Sequence, residues 1–390
     1  VNGSLPISSK LPDVGTTIFT VMSRLAEEHG AVNLGQGFPD FEPPESLRRS
    51  LGEHIARGAN QYAPMAGLLR LRQAIARRIA EDYGHLPDAE QEITVTSGAT
   101  EGIFDAIAAV VAPGDDVVVF DPSYDSYDPA VRLQNARCVH VRMSADFRID
   151  FDALKAALSP RTRLLILNFP HNPSGATLQP AELDELASVL RDRPIFVLSD
   201  EVYEHLVYDG ARPLSVLSHA ELRERALVVG SFGKAYHCTG WKVGWVTAPA
   251  ALTAELRKVH QFVTFATSTA AQHAFADALE QDAGHLRGLA PFYQQKRDKF
   301  RSLLAGSAFE VLPVTGAYFQ LVDYSRLSQE PDEEFARRLV SDALVASIPI
   351  SGLCEQTPSR RLIRFCFAKR ESTLELAAER LQEFSRRHVT

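Results

Sequence analysis

Residues 231–242 read SFGKAYHCTGWK and set two lysines eight positions apart, Lys234 and Lys242, directly after the apolar run LVVG. A lysine that does covalent chemistry must be able to shed its proton, and a second cation close by makes that easier. Lys234 is therefore the candidate for bond formation, and Lys242 for charge, with Ser231 beside them. Other apolar runs are followed by similar residues. After ITVT come Ser97, Gly98, Ala99 and Thr100, small enough for backbone N–H groups at a helix start to hold an anion such as phosphate. After VVVF, Tyr124 or Tyr127 offers a flat ring; after LLIL come Asn168 and Asn172; after IFVL come Asp200 and Tyr203.

Each residue alone has a structural explanation. Asp200 suits a helix N-cap, Asn172 before Pro173 a turn, Tyr124 packing, and Lys234 an exposed surface. Their co-occurrence at successive strand ends points elsewhere. A phosphate cradle, a flat ring, a carboxylate, a phenol, an amide and a lysine are what a pyridoxal phosphate site requires. Lys234 would form the Schiff base with the aldehyde, and Lys242 would pair with the phosphate. Asp200 would keep the pyridine nitrogen protonated, Asn172 and Tyr203 would donate to the ring oxygen, and Tyr124 would stack on the ring face.

The elements that must hold these residues follow from the apolar pattern. ITVT (93–96), VVVF (117–120), LLIL (164–167), IFVL (195–198), LVVG (227–230) and VGWV (243–246) are apolar at nearly every position, as strands buried on both faces are. Helical patterns such as ATEGIFDAIAAVVA and PAELDELASVLRDR lie between them. The alternation predicts an α/β fold with an open, mainly parallel central sheet flanked by helices, whose ligands bind beyond the carboxyl ends of the strands. Downstream, the charged helical segments FYQQKRDKFRSLLAG, DEEFARRLVSDALV and LELAAERLQEFSRR surround the short strands AYFQLVD and RLIRFCF. They predict a smaller α+β domain. The division expected is an N-terminal arm and part of the small domain at 1–45, a large domain at 46–285 and a small C-terminal domain at 286–390.

Composition narrows the partners. The 390 residues are 45% hydrophobic and 23% charged, with a net charge of −8 and no basic block that would track nucleic acid. Small molecules are the expected partners. Cys138, Cys238, Cys354 and Cys366 contain no CxxC pair, which argues against a zinc site or a disulfide framework and suits a reducing cytoplasm. Neither a leader pattern nor an apolar run of membrane-spanning length stands out. GQGFPD is the one early Gly-x-Gly, and Pro39 with no preceding strand spoils it as a nicotinamide fingerprint.

PHNPSG (170–175), SDEVY (199–203), SFGKAYHCTGWKVGW (231–245) and RLIRFCF (361–367), in this order, resemble the class I/II aminotransferases of pyridoxal phosphate fold type I. VNLGQGFPDF (32–41), NQYAPMAG (60–67), PSYDSYDP and IRFCFAK are similar to the bacterial methionine aminotransferases and to the related kynurenine aminotransferase and cysteine-conjugate β-lyase group. The resemblance implies that Lys234 is the Schiff-base lysine and proton carrier, that Asp200 holds the pyridine nitrogen, and that Asn172 and Tyr203 hold the ring oxygen. Ala99 and Thr100, with Ser231 and Lys242, would hold the phosphate, and Tyr124 would stack on the ring.

It further implies that Arg364 takes the substrate α-carboxylate in a bidentate pair, that Gly37 lines the carboxylate side, and that Tyr62 reaches the phosphate of a neighbouring subunit. The last role implies a homodimer with active sites at the interface. Lys242 stands where the broad family usually has arginine, Gly233 where it often has serine, and Ser174 where threonine is more usual. Lys242 fits the kynurenine and methionine group better than the aspartate aminotransferases. The expected reaction is ping-pong transamination of an amino acid to its 2-oxo acid. Ile18, Phe19, Tyr62 and Tyr124 are the candidates for an apolar substrate pocket. With no second arginine evident for a side-chain carboxylate, methionine and aromatic amino acids are the expected donors. Kynurenine transamination and β-elimination from cysteine S-conjugates are the alternatives.

Overall fold

The computed structural model describes residues 7–356 and 358–388, so the first six residues of the expected arm lie outside the described residues. Among the described residues, thirteen strands form three sheets. The first is the two-residue strand β1 (Val32–Asn33). The large sheet uses β2 (Ile93–Thr96), β3 (Asp116–Asp121), β4 (Arg137–Arg142), β5 (Thr162–Asn168), β6 (Phe196–Asp200), β7 (Ala226–Ser231) and β8 (Gly244–Thr247) in the spatial order β2-β8-β7-β6-β5-β3-β4. Helices flank it, giving the α/β architecture that the alternating pattern predicts.

Each expected apolar run lies in this sheet. The inner strands are buried along their length, as in β3 and β6, because helices cover both faces. β4 is an addition. RCVHVR has polar residues at alternate positions and a half-exposed profile, so it does not read as a buried run; it sits at the sheet edge, paired only with β3.

β8 is the one strand that runs against the others, pairing antiparallel with both β2 and β7. A parallel strand would have required a crossover to the far end of the sheet. Instead the chain turns at the carboxyl end of β7, through residues 232–243, and re-enters beside it. Lys234 and Lys242 are thereby kept at the same edge.

The remaining strands are β9 (Glu310–Val311), β10 (Phe319–Asp323), β11 (Val345–Ala346), β12 (Ile348–Pro349) and β13 (Leu362–Cys366). They form an antiparallel sheet ordered β12-β13-β10-β9, while β11 pairs in parallel with β1. The N-terminal segment is thus tied to residues more than three hundred positions away. Arg364 is central in β13, opposite Leu321 on one side and Ile348 on the other, and only 1% exposed. The segment DEEFARRLVSDALV is not one helix. Its α-helix spans Asp332–Arg338, a wider π-type turn follows at Leu339–Ala343, and Leu344 at φ 53° redirects the chain into β11. The apolar LV and ALV of that segment serve the turn and strand rather than a continued helix face.

Candidate active site

Beyond the carboxyl ends of β5, β6 and β7 lies a cavity of about 420 Å³, closed on its other side by β10, β13 and the segment after β1. The large sheet supplies Ala99, Thr100, Tyr124, Asn172, Asp200 and Tyr203, together with Ser231, Lys234 and Lys242. Arg364 enters from the small sheet, and Phe19 and Gly37 from the N-terminal segment. Tyr62 is not brought in. It is 84% exposed and meets Phe265 edge-on at 5.5 Å. Ile18 also lies outside the cavity lining and instead packs near Gly352, whose added Cβ would stand 3.3 Å from the Ile18 Cβ.

The amine of Lys234 donates to the carbonyl of Gly37 at 3.1 Å, with the Tyr203 and Tyr318 rings 5.6 and 5.9 Å away. Its pKa is lowered to about 8, chiefly because burial penalises the charged form. Asp200 opposes that shift, and Arg364 and then Lys242 add smaller lowering contributions. The sequence assigns the easier deprotonation to the neighbouring cation. The structure corrects the order: desolvation dominates and Lys242 is the minor cause.

Asp200 ends β6 and is buried. Burial raises its pKa to about 6, against the lowering effect of the hydrogen bond that the Tyr127 hydroxyl donates to its Oδ2 at 2.6 Å. Tyr127, one of two candidate stacking rings in the sequence, is therefore the partner of Asp200, while Tyr124 faces the cavity and lies edge-on to it at 5.6 Å. Asn168 donates through Nδ2 to the Asp200 carbonyl at 3.0 Å, and its Oδ1 accepts from the backbone N–H of Asn172 at 2.9 Å. These bonds fix the backbone on which Asp200 and Asn172 stand.

Arg364 Nη1 donates to Asn172 Oδ1 at 2.6 Å, and Nη2 to the Gly35 carbonyl at 2.6 Å. The buried Nε has no partner. A guanidinium has five N–H groups in a planar fork, so the edge that carries Nε can still take a carboxylate. With its Oδ1 committed to Arg364, Asn172 leaves its NH₂ edge to the cavity. The Phe319 and Phe19 rings lie 4.1 and 5.1 Å from the guanidinium.

The anion cradle is built where β2 gives way to the helix Gly98–Val110. Gly98 is at φ +76°, and a Cβ there would lie 3.2 Å from both Lys242 Cε and Nζ, so the ammonium sits directly over the helix start. A Cβ at Gly244 would lie 2.9 Å from the backbone nitrogen of Ala99. Those close approaches keep the amides, the helix dipole and Lys242 together at one point, which suits phosphate. Glu101 braces the turn, accepting from the Ser97 N–H and, at 2.7 Å, from His260 Nδ1. His260 Nε2 also reaches the Met65 carbonyl at 2.9 Å. Although burial opposes it, the Asp105 and Glu101 hydrogen bonds hold the His260 imidazolium to a pKa of about 9.

The residues present fit a phosphorylated pyridine aldehyde: a cradle at one end, a buried carboxylate, donors at Asn172 and Tyr203, and a deprotonatable amine between them. Three features escape the sequence. Tyr318 donates to the same Gly37 carbonyl at 2.8 Å, Asp125 lines the cavity with its pKa raised by burial, and His260 supports Glu101 from a distant helix. Each depends on contacts between remote segments, and no local pattern marks them.

The model of the family "Aminotransferase class I and II" matches residues 29–381. Among curated relatives, a methionine aminotransferase of Escherichia coli is 51% identical over 98% of this chain and 99% of its own. A probable N-succinyldiaminopimelate aminotransferase of Mycobacterium tuberculosis is 39% identical over 98% and 99%. Mouse kynurenine–oxoglutarate transaminase 1 is 32% identical over 92% and 93%. A crystal structure of Escherichia coli YbdL, which identifies that protein as a methionine aminotransferase, superposes with a TM-score of 0.96 at 51% identity, over 97% of this chain and all of the other. The likeness covers nearly the whole chain, and the chain belongs to the class I and II aminotransferases, enzymes that work on this fold with pyridoxal 5'-phosphate.

Proposed function

We propose that this enzyme transfers the amino group of methionine and of aromatic amino acids, and that the convergence of Lys234, Asp200 and Arg364 on one cavity is the observation that carries the assignment. Pyridoxal phosphate, when bound, supplies an electron-accepting ring that lets the substrate Cα give up its proton. Lys234 anchors the cofactor and afterwards carries that proton, since it is released beside the atom it must serve. Asp200 holds the pyridine nitrogen, positioned by Tyr127, and Asn172 and Tyr203 hold the ring oxygen. Ala99, Thr100, Ser231 and Lys242 hold the phosphate, and Tyr124 covers the ring. Arg364 holds the substrate carboxylate beside Gly37.

The division proposed, 1–45, 46–285 and 286–390, puts the cofactor residues on one unit and Arg364 on the other. The exposed Tyr62 meets Phe265, itself 41% exposed, and this exposed aromatic pair supports a homodimer in which Tyr62 serves the partner's phosphate. We also assign the enzyme to the cytoplasm, a reading supported by four free cysteines; among the described residues no helix is long and apolar enough to cross a membrane.

The donor preference rests on the cavity wall. Phe19, Phe38 and Tyr124 present apolar surface, Arg364 is the one arginine among the lining residues, and the carboxyl of Asp125 lies on the same wall. A donor with an acidic side chain would meet Asp125 and find no second guanidinium. The likeness to methionine aminotransferase supports the same donor, and the likeness to kynurenine–oxoglutarate transaminase supports kynurenine as the second reading. The test is the absorbance of the holoenzyme before and after methionine alone, with oxo acid counted per site. Methionine should convert the cofactor stoichiometrically and aspartate should not, and Asp125→Asn should narrow that gap. Equal conversion by both would overturn the preference.

A further inference from the structure

At the outer edge of the large sheet, Cys138 and His140 lie two residues apart on β4 and so point to the same face. The helix Tyr127–Leu133 crosses that face and brings Asp128 to them. One ligand-type atom from each of Asp128, Cys138 and His140 lies within 4.8 Å of the others. Thiolate, imidazole and carboxylate together are the donor set of zinc-class ions.

The surroundings orient each group. His140 Nδ1 is bonded to Asp121 Oδ1 at 2.8 Å, which leaves Nε2 facing Asp128 Oδ1 at 3.8 Å. A carboxylate behind the far ring nitrogen is the arrangement that fixes the tautomer of metal-bound histidines. Asp128 is divided in the same way. Its Oδ2 is held by Arg132 Nη1 at 3.2 Å, and Arg132 is itself paired with Asp13, so Oδ1 is the oxygen left for another cation. A separation of 3.8 Å is too long for a hydrogen bond. Two ligand bonds of about 2.0–2.2 Å at a tetrahedral angle span a few tenths of an ångström less, so a small closure suffices. All three residues are partly exposed rather than sealed, the His140 side chain by 11% and that of Asp128 by 32%.

We propose that Cys138 Sγ, His140 Nε2 and Asp128 Oδ1 form a binding site for a zinc-class divalent cation, with Asp121 as the carboxylate that orients His140. The spacing of the cysteines in the sequence argues against zinc because only Cys–Cys pairs are visible there. The fold replaces the second cysteine with a histidine and an aspartate. Binding displaces the thiol proton, so the site tightens as pH rises. It clamps the first turn of the helix that carries Tyr127, the donor to Asp200.

Cobalt(II) titration of the holoenzyme tests the site, read by visible d–d absorption outside the cofactor band and by zinc competition against a chromophoric chelator. One tetrahedral cobalt per chain is expected. Cys138→Ser and His140→Gln should each weaken zinc by roughly a hundredfold or more while transamination without added metal is retained. Asp121→Asn should give a smaller loss. Retained transamination shows that a variant is folded, and if one of the two ligand variants fails to fold, the other decides. Absence of tetrahedral bands in the parent enzyme, or bands that survive in a folded ligand variant, would overturn the proposal.

Discussion

Lys234, partly buried, and Arg364, fully buried, are both cations that line the same cavity, yet the two sheets that supply them treat charge in opposite ways. Lys234, at the end of β7, has one hydrogen-bond acceptor, the Gly37 carbonyl, and burial brings its pKa to about 8. Arg364, in the middle of β13, is also penalised by burial, but its fork is held by Asn172 Oδ1 and the Gly35 carbonyl, with two aromatic rings near it. A guanidinium starts from a pKa so high that the penalty leaves it charged. The large sheet thus presents a cation that can let go of its proton, and the small sheet one that cannot. Proton transfer needs the first kind and carboxylate recognition the second.

Removing the mobile proton should have the largest effect. Lys234→Ala is expected to lower single-turnover transamination by about 10⁴-fold or more, since it deletes both anchor and proton carrier. Multiple turnovers in that variant would break the comparison. Removing the fixed charge should act differently. Arg364→Ala is expected to raise the amino-acid KM and lower kcat/KM by roughly 10- to 100-fold, the worth of one or two charge-assisted bonds, and Arg364→Lys should rescue little because the fork is lost. An unchanged KM would place the carboxylate elsewhere.

The smallest effect sharpens the cause of the lysine's shift. In the apo-protein, capture of pyridoxal phosphate needs the neutral amine. With a pKa of about 8, roughly a tenth of Lys234 is neutral at pH 7, and the capture rate should climb with pH and level off above 8. If burial dominates, Lys242→Gln should raise that midpoint by less than about one unit. A larger rise would restore the neighbouring cation as the main cause.

Much of the large sheet could be read in advance because a strand buried on both faces must be apolar throughout, and the residues after such runs converge whatever the loops do. Asp200, Asn172 and Lys234 were legible for that reason. β4 was not, since an edge strand alternates polar residues. The roles of Tyr127 and Tyr124 could not be separated, because which ring points at Asp200 is decided by the path of the helix Tyr127–Leu133. The cause of the Lys234 shift was legible only in part, Lys242 being visible as a contributor and burial, the larger one, not. Nearness in sequence is visible, but depth beneath the surface is a property of the packed molecule. The Arg364 position, by contrast, came only from the family pattern: RLIRFCF reads as a strand, but nothing within it shows that Arg364 reaches a cavity formed with the other sheet.

The reversal of β8 has a consequence for how this enzyme can vary. A loop that leaves one strand and returns along its neighbour has its length set at both ends. One added residue between Ser231 and Gly244 must be absorbed inside that connection, because a shift of β8 by one position would turn its side chains to the other face and lose its register with β2 and β7. Gly230 is as constrained, because a Cβ there would fall 2.2 Å from the Trp245 ring. The interval between Lys234 and Lys242 is thus tied to the pairing of β8, so the placement of the cavity's two lysines and the order of the sheet are one and the same constraint.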